Sequence, residues 1–225
     1  MLHGVAFTAP GGVVTGILGR NGAGKTTLLK SIMGLQPTVS GEVRILDRPA
    51  IGMGTDAIAR LGVAYMPQDV RVFPRLSVRE NIAVASKAVS RPRPLAETLA
   101  LLPELEPLLG RTAGTLSGGQ QQLVGIARSV SMRCQILLMD EPTEGLMPSL
   151  VARVGAIIRG LAAEGVAVVL VEQNIGLVTH VCDRVYVIEK GDMKWRGAPS
   201  ELVPAGILDR YMGVDVLAHP TSSEG

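Results

Sequence analysis

Short apolar runs alternate along the chain with stretches whose apolar residues recur at helical spacing. The apolar, β-branched runs predict strands at 13–18, 62–66, 135–139, 166–171 and 184–188. The amphipathic stretches predict helices at 25–33, 149–163 and 174–182. Because such alternation is typical of a mostly parallel sheet with helices on both faces, the sequence predicts an α/β fold.

One segment, at about 74–131, departs from this alternation and has no predicted strand. Ser77-Val-Arg-Glu80 has the spacing of a capping box that opens a helix. A proline-bearing loop follows at 90–94, and a leucine-rich helix is predicted at 95–109. We therefore expect an all-helical lobe, inserted into a single domain that spans 1–225.

Length, composition and charge narrow the class of protein. The longest purely aliphatic run, 166–171, is far shorter than the ~20 residues of a membrane-spanning helix, and no export segment directs the chain out of the cytoplasm. Cys134 and Cys182 lack metal-ligand or redox spacing, so we expect reduced core thiols. The net charge of +2 gives no argument for nucleic acid as a partner. The small, polar tail at about 217–225 is expected to be disordered.

A phosphate-binding loop is predicted between the first strand and the first helix, where the chain fits the pattern G-x-x-x-x-G-K-[ST]. Small residues there let backbone N–H groups close around phosphate oxygens, and the following helix points its positive dipole end at them. The sequence therefore predicts nucleoside triphosphate binding. The expected nucleotide-binding residues are Gly19, Arg20, Asn21, Gly22, Ala23, Gly24, Lys25, Thr26 and Thr27.

Two adjacent acids, Asp140 and Glu141, end a predicted strand at the sheet edge where ligands of parallel sheets bind. Phosphoryl transfer to water needs positive charge over the phosphates, a divalent metal and a group that orients or deprotonates the water. Lys25 supplies the charge, and Thr26 and Asp140 are expected to hold Mg²⁺. Glu141 is then the expected catalytic base. An acid pair can also be a solvated turn, but Pro142-Thr143 and the phosphate loop favour the catalytic interpretation.

Gln68 and the segment Ser117, Gly118, Gly119 and Gln120 are further candidate site residues. Gln68 ends a strand beside the predicted lobe, so its amide oxygen is a candidate Mg²⁺ ligand that lobe motion could engage or release; loop glutamines are otherwise usually just solvated. Ser117 caps a helix that runs toward Met132, and the two glycines permit close approach to an anion. Because the phosphate loop already serves this chain, the second anion site is predicted to act on the nucleotide of another subunit.

Taken in order, the phosphate loop, Gln68, Leu116-Ser-Gly-Gly-Gln120 and Leu137-Leu-Met-Asp-Glu-Pro-Thr143 resemble the ATP-binding subunit of ABC transporters over nearly the whole chain. The resemblance implies a P-loop NTPase fold, ATP and Mg²⁺ as cofactors, and ATP hydrolysis. It also implies a head-to-tail dimer with an identical or paralogous ATPase subunit. That dimer would drive two membrane permease subunits at the cytoplasmic face of the inner membrane, with a periplasmic solute-binding protein as an indirect partner.

Finer features resemble the importers of branched-chain amino acids, amides or urea. They are Phe73-Pro-Arg-Leu-Ser-Val78, Glu144-Gly-Leu-Met-Pro-Ser149 and Val171-Glu-Gln-Asn174. Branched-chain amino acids are the commoner solutes of this group, and the solute stays open. A soluble ABC-type ATPase of DNA repair or translation is an alternative, although such proteins carry coiled coils, zinc modules or paired ATPase domains. A P-loop kinase would leave the segment after Leu116 unexplained.

Two departures from the family pattern change the expected activity. Gln173 stands where most members have a histidine; it can donate a hydrogen bond to the γ-phosphate but cannot take a proton, so we expect reduced or asymmetric hydrolysis. The family also has an adenine-stacking aromatic residue on an early strand. Here we expect that strand to be missing and Phe7 to lie on the second strand, facing the core. Loss of such a stack would weaken ATP binding by ~1–3 kcal/mol.

Overall fold

A six-stranded sheet forms the centre of the computed structural model, which describes residues 1–37, 40–69, 72–87, 89 and 91–213. The predicted disordered tail and residue 90 lie outside these ranges. In chain order the strands are β1 (Val14–Leu18), β2 (Arg44–Ile45), β3 (Arg48–Pro49), β4 (Val63–Met66), β5 (Ile136–Asp140), β6 (Ala167–Glu172), β7 (Arg184–Glu189) and β8 (Asp192–Gly197). The sheet order is β4-β5-β6-β1-β7-β8, and β2 pairs with β3 in a separate hairpin.

Neighbouring strands in the series β4, β5, β6, β1 and β7 pair in parallel. β8 runs antiparallel to β7 at one edge of the sheet. The predicted α/β fold with a mostly parallel sheet is therefore confirmed. β8 was not predicted, because its residues Asp192–Gly197 are mostly polar and half-exposed. The two-residue strands β2 and β3 are too short to leave a periodic pattern.

Helices cover both faces of this sheet. They are α1 (Lys25–Ile32), α2 (Thr55–Arg60), α3 (Val78–Ser86), α4 (Leu95–Leu101), α5 (Gly118–Ser131), α6 (Pro148–Ala163) and α7 (Ile175–Val181). Successive side chains of β6 point to opposite faces. Val168 and Leu170 pack with residues of α5, α6 and α7, whereas Val169 and Val171 pack with residues of α1 and α2.

The chain between β4 and β5 contains α3, α4 and α5. The capping box that opens α3 is present, since the Ser77 hydroxyl accepts from the Glu80 N–H and the Glu80 carboxylate accepts from the Ser77 N–H. The prediction of one helix over 95–109 is wrong. α4 ends at Leu101 and a 3₁₀ segment, Pro103–Leu108, follows it. Pro103 disfavours helical backbone at the preceding residue, Leu102, whose φ and ψ are −135° and 61°.

Residues 1–13 contain no strand. The prediction of a strand that carries Phe7 is therefore wrong. Phe7 is nevertheless partly buried against the core shared with α1, as predicted. Its ring packs edge-to-face with Tyr186 on β7, with 5.9 Å between ring centroids.

Candidate functional site

The carboxyl ends of three neighbouring strands meet at one edge of the sheet. β1 ends at Leu18 and leads into the phosphate loop, β5 ends at Asp140, and β6 ends at Glu172. Ligands of open α/β sheets bind at this edge. Most of the residues that the sequence singled out for phosphate chemistry follow directly after these strand ends.

The phosphate loop wraps around its own lysine. The Lys25 ammonium donates to the carbonyl oxygens of Gly19 at 2.7 Å and Arg20 at 3.1 Å. Gly24 precedes α1 with φ +109°, a backbone conformation that residues with a side chain rarely adopt. A Cβ atom on Gly19 would lie 2.5 Å from the Ile188 carbonyl oxygen, so this position has no room for a side chain.

Glu141 completes the surroundings of Lys25. Its Oε1 lies 3.1 Å from the Lys25 Nζ, and the two residues are 5% and 4% exposed. Glu141 has φ +48°, in the left-handed region that residues other than glycine seldom occupy. Its N–H donates to the Val171 carbonyl at 2.9 Å, which ties this turn to β6. Strain of this kind persists where the surrounding structure holds it, often at functional sites.

Asp140 lies beside Glu141 and is fully buried. Thr26 Oγ1 donates to its Oδ1 at 3.2 Å, and the Tyr65 hydroxyl donates to its Oδ2 at 3.3 Å. Burial raises the pKa of the Asp140 carboxyl, and these two hydrogen bonds oppose the rise. Burial, followed by the charge of Asp140, raises the pKa of the Tyr65 hydroxyl. Tyr65 was not predicted to belong to the site; its position three residues before Gln68 was the available signal.

Two side-chain amides converge on Glu141 from different elements. Gln173 Nε2 donates to Glu141 Oε2 at 2.7 Å and to Asn21 Oδ1 at 2.6 Å. Gln68 Nε2 donates to the same Glu141 oxygen at 3.3 Å and to Glu144 Oε2 at 2.9 Å. The structure thus brings together four predicted residues, Asn21, Gln68, Glu141 and Gln173, and adds Glu144.

The predicted second anion site forms the start of α5. The Gln120 N–H donates to Ser117 Oγ at 3.3 Å, and the Ser117 N–H donates to Gln120 Oε1 at 3.1 Å. The expected cap at Ser117 is therefore present, and Gln120 is part of it. Ser117 and Gly118 are exposed. A cavity of about 380 Å³ is lined by Ser117, Gly119, Gln120 and Leu146, among others.

Sequence reasoning gave no role to Glu172, the last residue of β6. This carboxylate is 3% exposed. Burial raises its pKa, and the hydrogen bonds that it accepts from Thr143, Asn174 and Gln173 partly oppose the rise. The available signal in the sequence was a single acid directly after the aliphatic run 166–171.

The chain is similar to known proteins over most of its length. The family described as ABC transporter matches residues 2–144. The chain is 35% identical to the high-affinity branched-chain amino acid transport ATP-binding protein BraG of Pseudomonas aeruginosa, over 94% of this chain and 93% of that one. It is 31% identical to the lipopolysaccharide export system ATP-binding protein LptB of Escherichia coli, over 96% of this chain and 92% of that one.

Solved structures give the same assignment. The dimeric structure of a bacterial ABC transporter cassette superposes with a TM-score of 0.79 at 25% identity, covering 88% of this chain and 90% of that one. In the part of the chain that the structure describes, no helix is both long and apolar enough to cross a membrane. The resemblance seen in the motifs is confirmed: the chain belongs to the ABC transporter family, as an ATP-binding cassette of the kind that hydrolyses ATP.

Proposed function

We propose that this chain hydrolyses ATP at the cluster around Glu141 to power import of a solute, with branched-chain amino acids as the solute class. The geometric observation that carries the catalytic part is the convergence of Lys25 and Gln173 on the Glu141 carboxylate. Support for the solute comes from the 35% identity to a branched-chain amino acid transport protein over nearly the full length of both chains.

Two other cargoes compete with this proposal. Similarity to LptB, at 31% identity over nearly the whole chain, favours lipopolysaccharide export as the second candidate. The sequence resemblance to urea and amide importers keeps those solutes as alternatives. Solute contacts in such systems belong to other subunits, so a transport measurement is needed to distinguish these cargoes.

Glu141 is the base in this proposal. Its carboxylate is within hydrogen-bonding distance of Gln173 and is paired with Lys25, the residue that would contact the β- and γ-phosphates. An incoming γ-phosphate takes the place of Glu141 on the Lys25 ammonium, which frees the carboxylate to accept a proton from the attacking water. Gln173 can donate to a phosphate oxygen or hold Glu141 in place, and it cannot itself accept that proton.

The residues next to the phosphate loop suit Mg²⁺. Thr26 Oγ1 and Asp140 Oδ1 lie 3.2 Å apart, and Gln68 carries an amide oxygen beside the same acid pair. Oxygen ligands of this kind are those that Mg²⁺ takes from proteins, usually together with waters. We propose that Thr26, Asp140 and Gln68 hold the ion. When bound, Mg²⁺ neutralises negative charge on the transferring phosphate.

Gln68 also connects this cluster to the helices between β4 and β5. It lies two residues after β4 and contacts both Glu141 and Glu144. We propose that the helical lobe predicted at about 74–131 moves as a unit in a single domain, and that Gln68 exchanges these carboxylates for Mg²⁺ as it moves.

The second half of each hydrolytic pocket comes, in this proposal, from another subunit. The helix start formed by Ser117, Gly118, Gly119 and Gln120 is exposed at its first two residues, and Ser117 and Gln120 hydrogen-bond each other. In a head-to-tail dimer with an identical or paralogous ATPase, this helix start would contact the partner's ATP. The dimer would act with two permease subunits and, indirectly, a periplasmic solute-binding protein, placing this chain peripherally on the cytoplasmic face of the inner membrane.

Uptake of labelled solutes tests the cargo. Deletion of the gene from its source organism should lower uptake of labelled leucine, isoleucine and valine, and the wild-type gene should restore it, whereas a Glu141→Gln gene should not. Unchanged branched-chain uptake together with lost urea or amide uptake would show that urea or an amide is the solute instead. A defect confined to the cell-surface lipopolysaccharide would show that the chain powers lipopolysaccharide export and not solute import.

A further inference from the structure

A buried carboxylate without an assigned role bridges the two segments that carry Glu141 and Gln173. Glu172 Oε1 accepts from the Thr143 hydroxyl at 2.7 Å and from the Thr143 N–H at 3.1 Å. Its Oε2 accepts from the N–H groups of Gln173 at 3.1 Å and Asn174 at 3.2 Å. Both oxygens are therefore occupied, each by donors from a different segment.

Each of these segments positions one catalytic group. Thr143 follows Glu141 by two residues, in the turn after β5, and is itself buried. Asn174 follows Gln173 and caps α7, because its Oδ1 accepts from the Leu177 N–H at 3.0 Å. The two segments meet where Gln173 Nε2 lies 2.7 Å from Glu141 Oε2. A shift of either segment would change that contact.

Stability alone is a weak reason for this arrangement. A carboxylate that is 3% exposed loses most of its hydration, and burial of a charge is costly unless hydrogen bonds replace the water. An apolar residue would continue the wholly buried strand β6 without that cost. Charge-assisted hydrogen bonds to backbone N–H groups instead give fixed distances and directions, which is what a catalytic site needs.

We propose that Glu172 is a positioning residue for ATP hydrolysis: it links the turn after Glu141 to the start of α7 and so holds Gln173 against Glu141. This inference rests on the catalytic roles proposed above for Glu141 and Gln173. Glu172 touches neither nucleotide nor water in this assignment, and it acts through the two segments that it joins.

Glu172→Gln tests the proposal, because an amide has one acceptor oxygen and must turn its NH₂ group toward the donors of one segment. We expect the kcat for ATP hydrolysis by the full chain to fall by about 10–100-fold, with the affinity for a non-hydrolysable ATP analogue changed by less than about threefold. Glu189→Gln is the control: this half-buried acid ends β7 at the same sheet edge, and its replacement should keep kcat. Thr143→Val removes the hydroxyl donor and should lower kcat in the same direction, whereas Thr143→Ser should restore it.

A double-mutant cycle with Gln173→Ala separates positioning from a general structural role. If Glu172 acts through Gln173, then Glu172→Gln should lower kcat little further in the Gln173→Ala background. If the two substitutions instead lower kcat independently, so that their fold-losses multiply in the double variant, the proposal is overturned. It is also overturned if thermal melts show that kcat falls only in proportion to the amount of folded protein. If Glu172→Gln does not fold, Thr143→Val in the same cycle gives the same decision. Unchanged hydrolysis in Glu141→Gln and Gln173→Ala alone would instead contradict the catalytic roles on which this inference rests.

Discussion

The ammonium group of Lys25 lies 3.1 Å from the carboxylate of Glu141, and both side chains are almost completely buried. Lys25 therefore has three oxygen partners, since it also donates to the carbonyls of Gly19 and Arg20. The γ-phosphate of ATP is an anion like the Glu141 carboxylate, and in the proposed mechanism it takes the same cation. We therefore propose that nucleotide binding and the release of Glu141 from Lys25 are coupled at this site.

Replacement of Glu141 with Gln should separate binding from chemistry. The neutral amide competes less well for Lys25, so we expect tighter ATP binding, by about tenfold for each ~1.4 kcal/mol of relieved competition. Hydrolysis should fall by about 10²–10⁴-fold, because the general base is gone, and an ATP-bound dimer should accumulate. Fluorescent nucleotide titration, phosphate release and size-exclusion chromatography measure the three effects. Unchanged hydrolysis would remove Glu141 from the role of base.

Replacement of Ser117 with Arg should abolish turnover while a lone subunit still binds nucleotide. The side chain would project from the exposed start of α5 into the surface that we propose faces the partner's ATP. Ser77→Arg is the control, because Ser77 caps α3 with an equivalent capping box; it costs a similar ~1 kcal/mol of helix capping and should leave hydrolysis in place. Loss of nucleotide binding by isolated Ser117→Arg subunits would contradict action in trans.

Replacement of Gly16 with Ala should destabilise the fold. A Cβ atom at this position of β1 would lie 2.8 Å from the Cys182 sulfur and 3.4 Å from a Val178 methyl carbon. Overpacking of this kind costs about 1–3 kcal/mol in the free energy of unfolding, which urea denaturation measures. The double variant Gly16→Ala with Cys182→Ala removes the sulfur and should recover much of the loss. Full stability in the single variant would show that this contact is not tight.

The two thiols should resist alkylation in the folded protein. Burial raises the pKa of the Cys134 thiol to about 11 and that of the Cys182 thiol to about 12, so the reactive thiolate is scarce at pH 8. Their contribution to stability is fully present below the ordinary thiol pKa of 9 and is lost as the pH rises toward these values. Iodoacetamide labelling followed by mass spectrometry should show slow modification at pH 8 and rapid modification in urea. Equal rates in both conditions would contradict the burial of Cys182 and the partial burial of Cys134.

Much of the α/β framework follows from short-range patterns in the chain. The runs at 13–18 and 166–171 predicted strands whose observed bounds, Val14–Leu18 and Ala167–Glu172, differ from the prediction by at most one residue at either end. Such runs are reliable because a strand buried on both faces must be apolar throughout. The helix predicted at 95–109 was wrong because its leucine periodicity continues through Pro103, which the backbone cannot follow.

The sequence by itself determined the phosphate loop, the acid pair and their order along the chain, because those features depend on adjacent residues and on backbone chemistry within one turn. Only the tertiary structure decided which of the site's side chains contact one another. The Lys25–Glu141 pair and the Gln173–Glu141 contact join residues that are far apart in the chain. They form because the sheet order places the ends of β1, β5 and β6 at one edge, and pairing order among parallel strands is a long-range choice that local patterns do not encode.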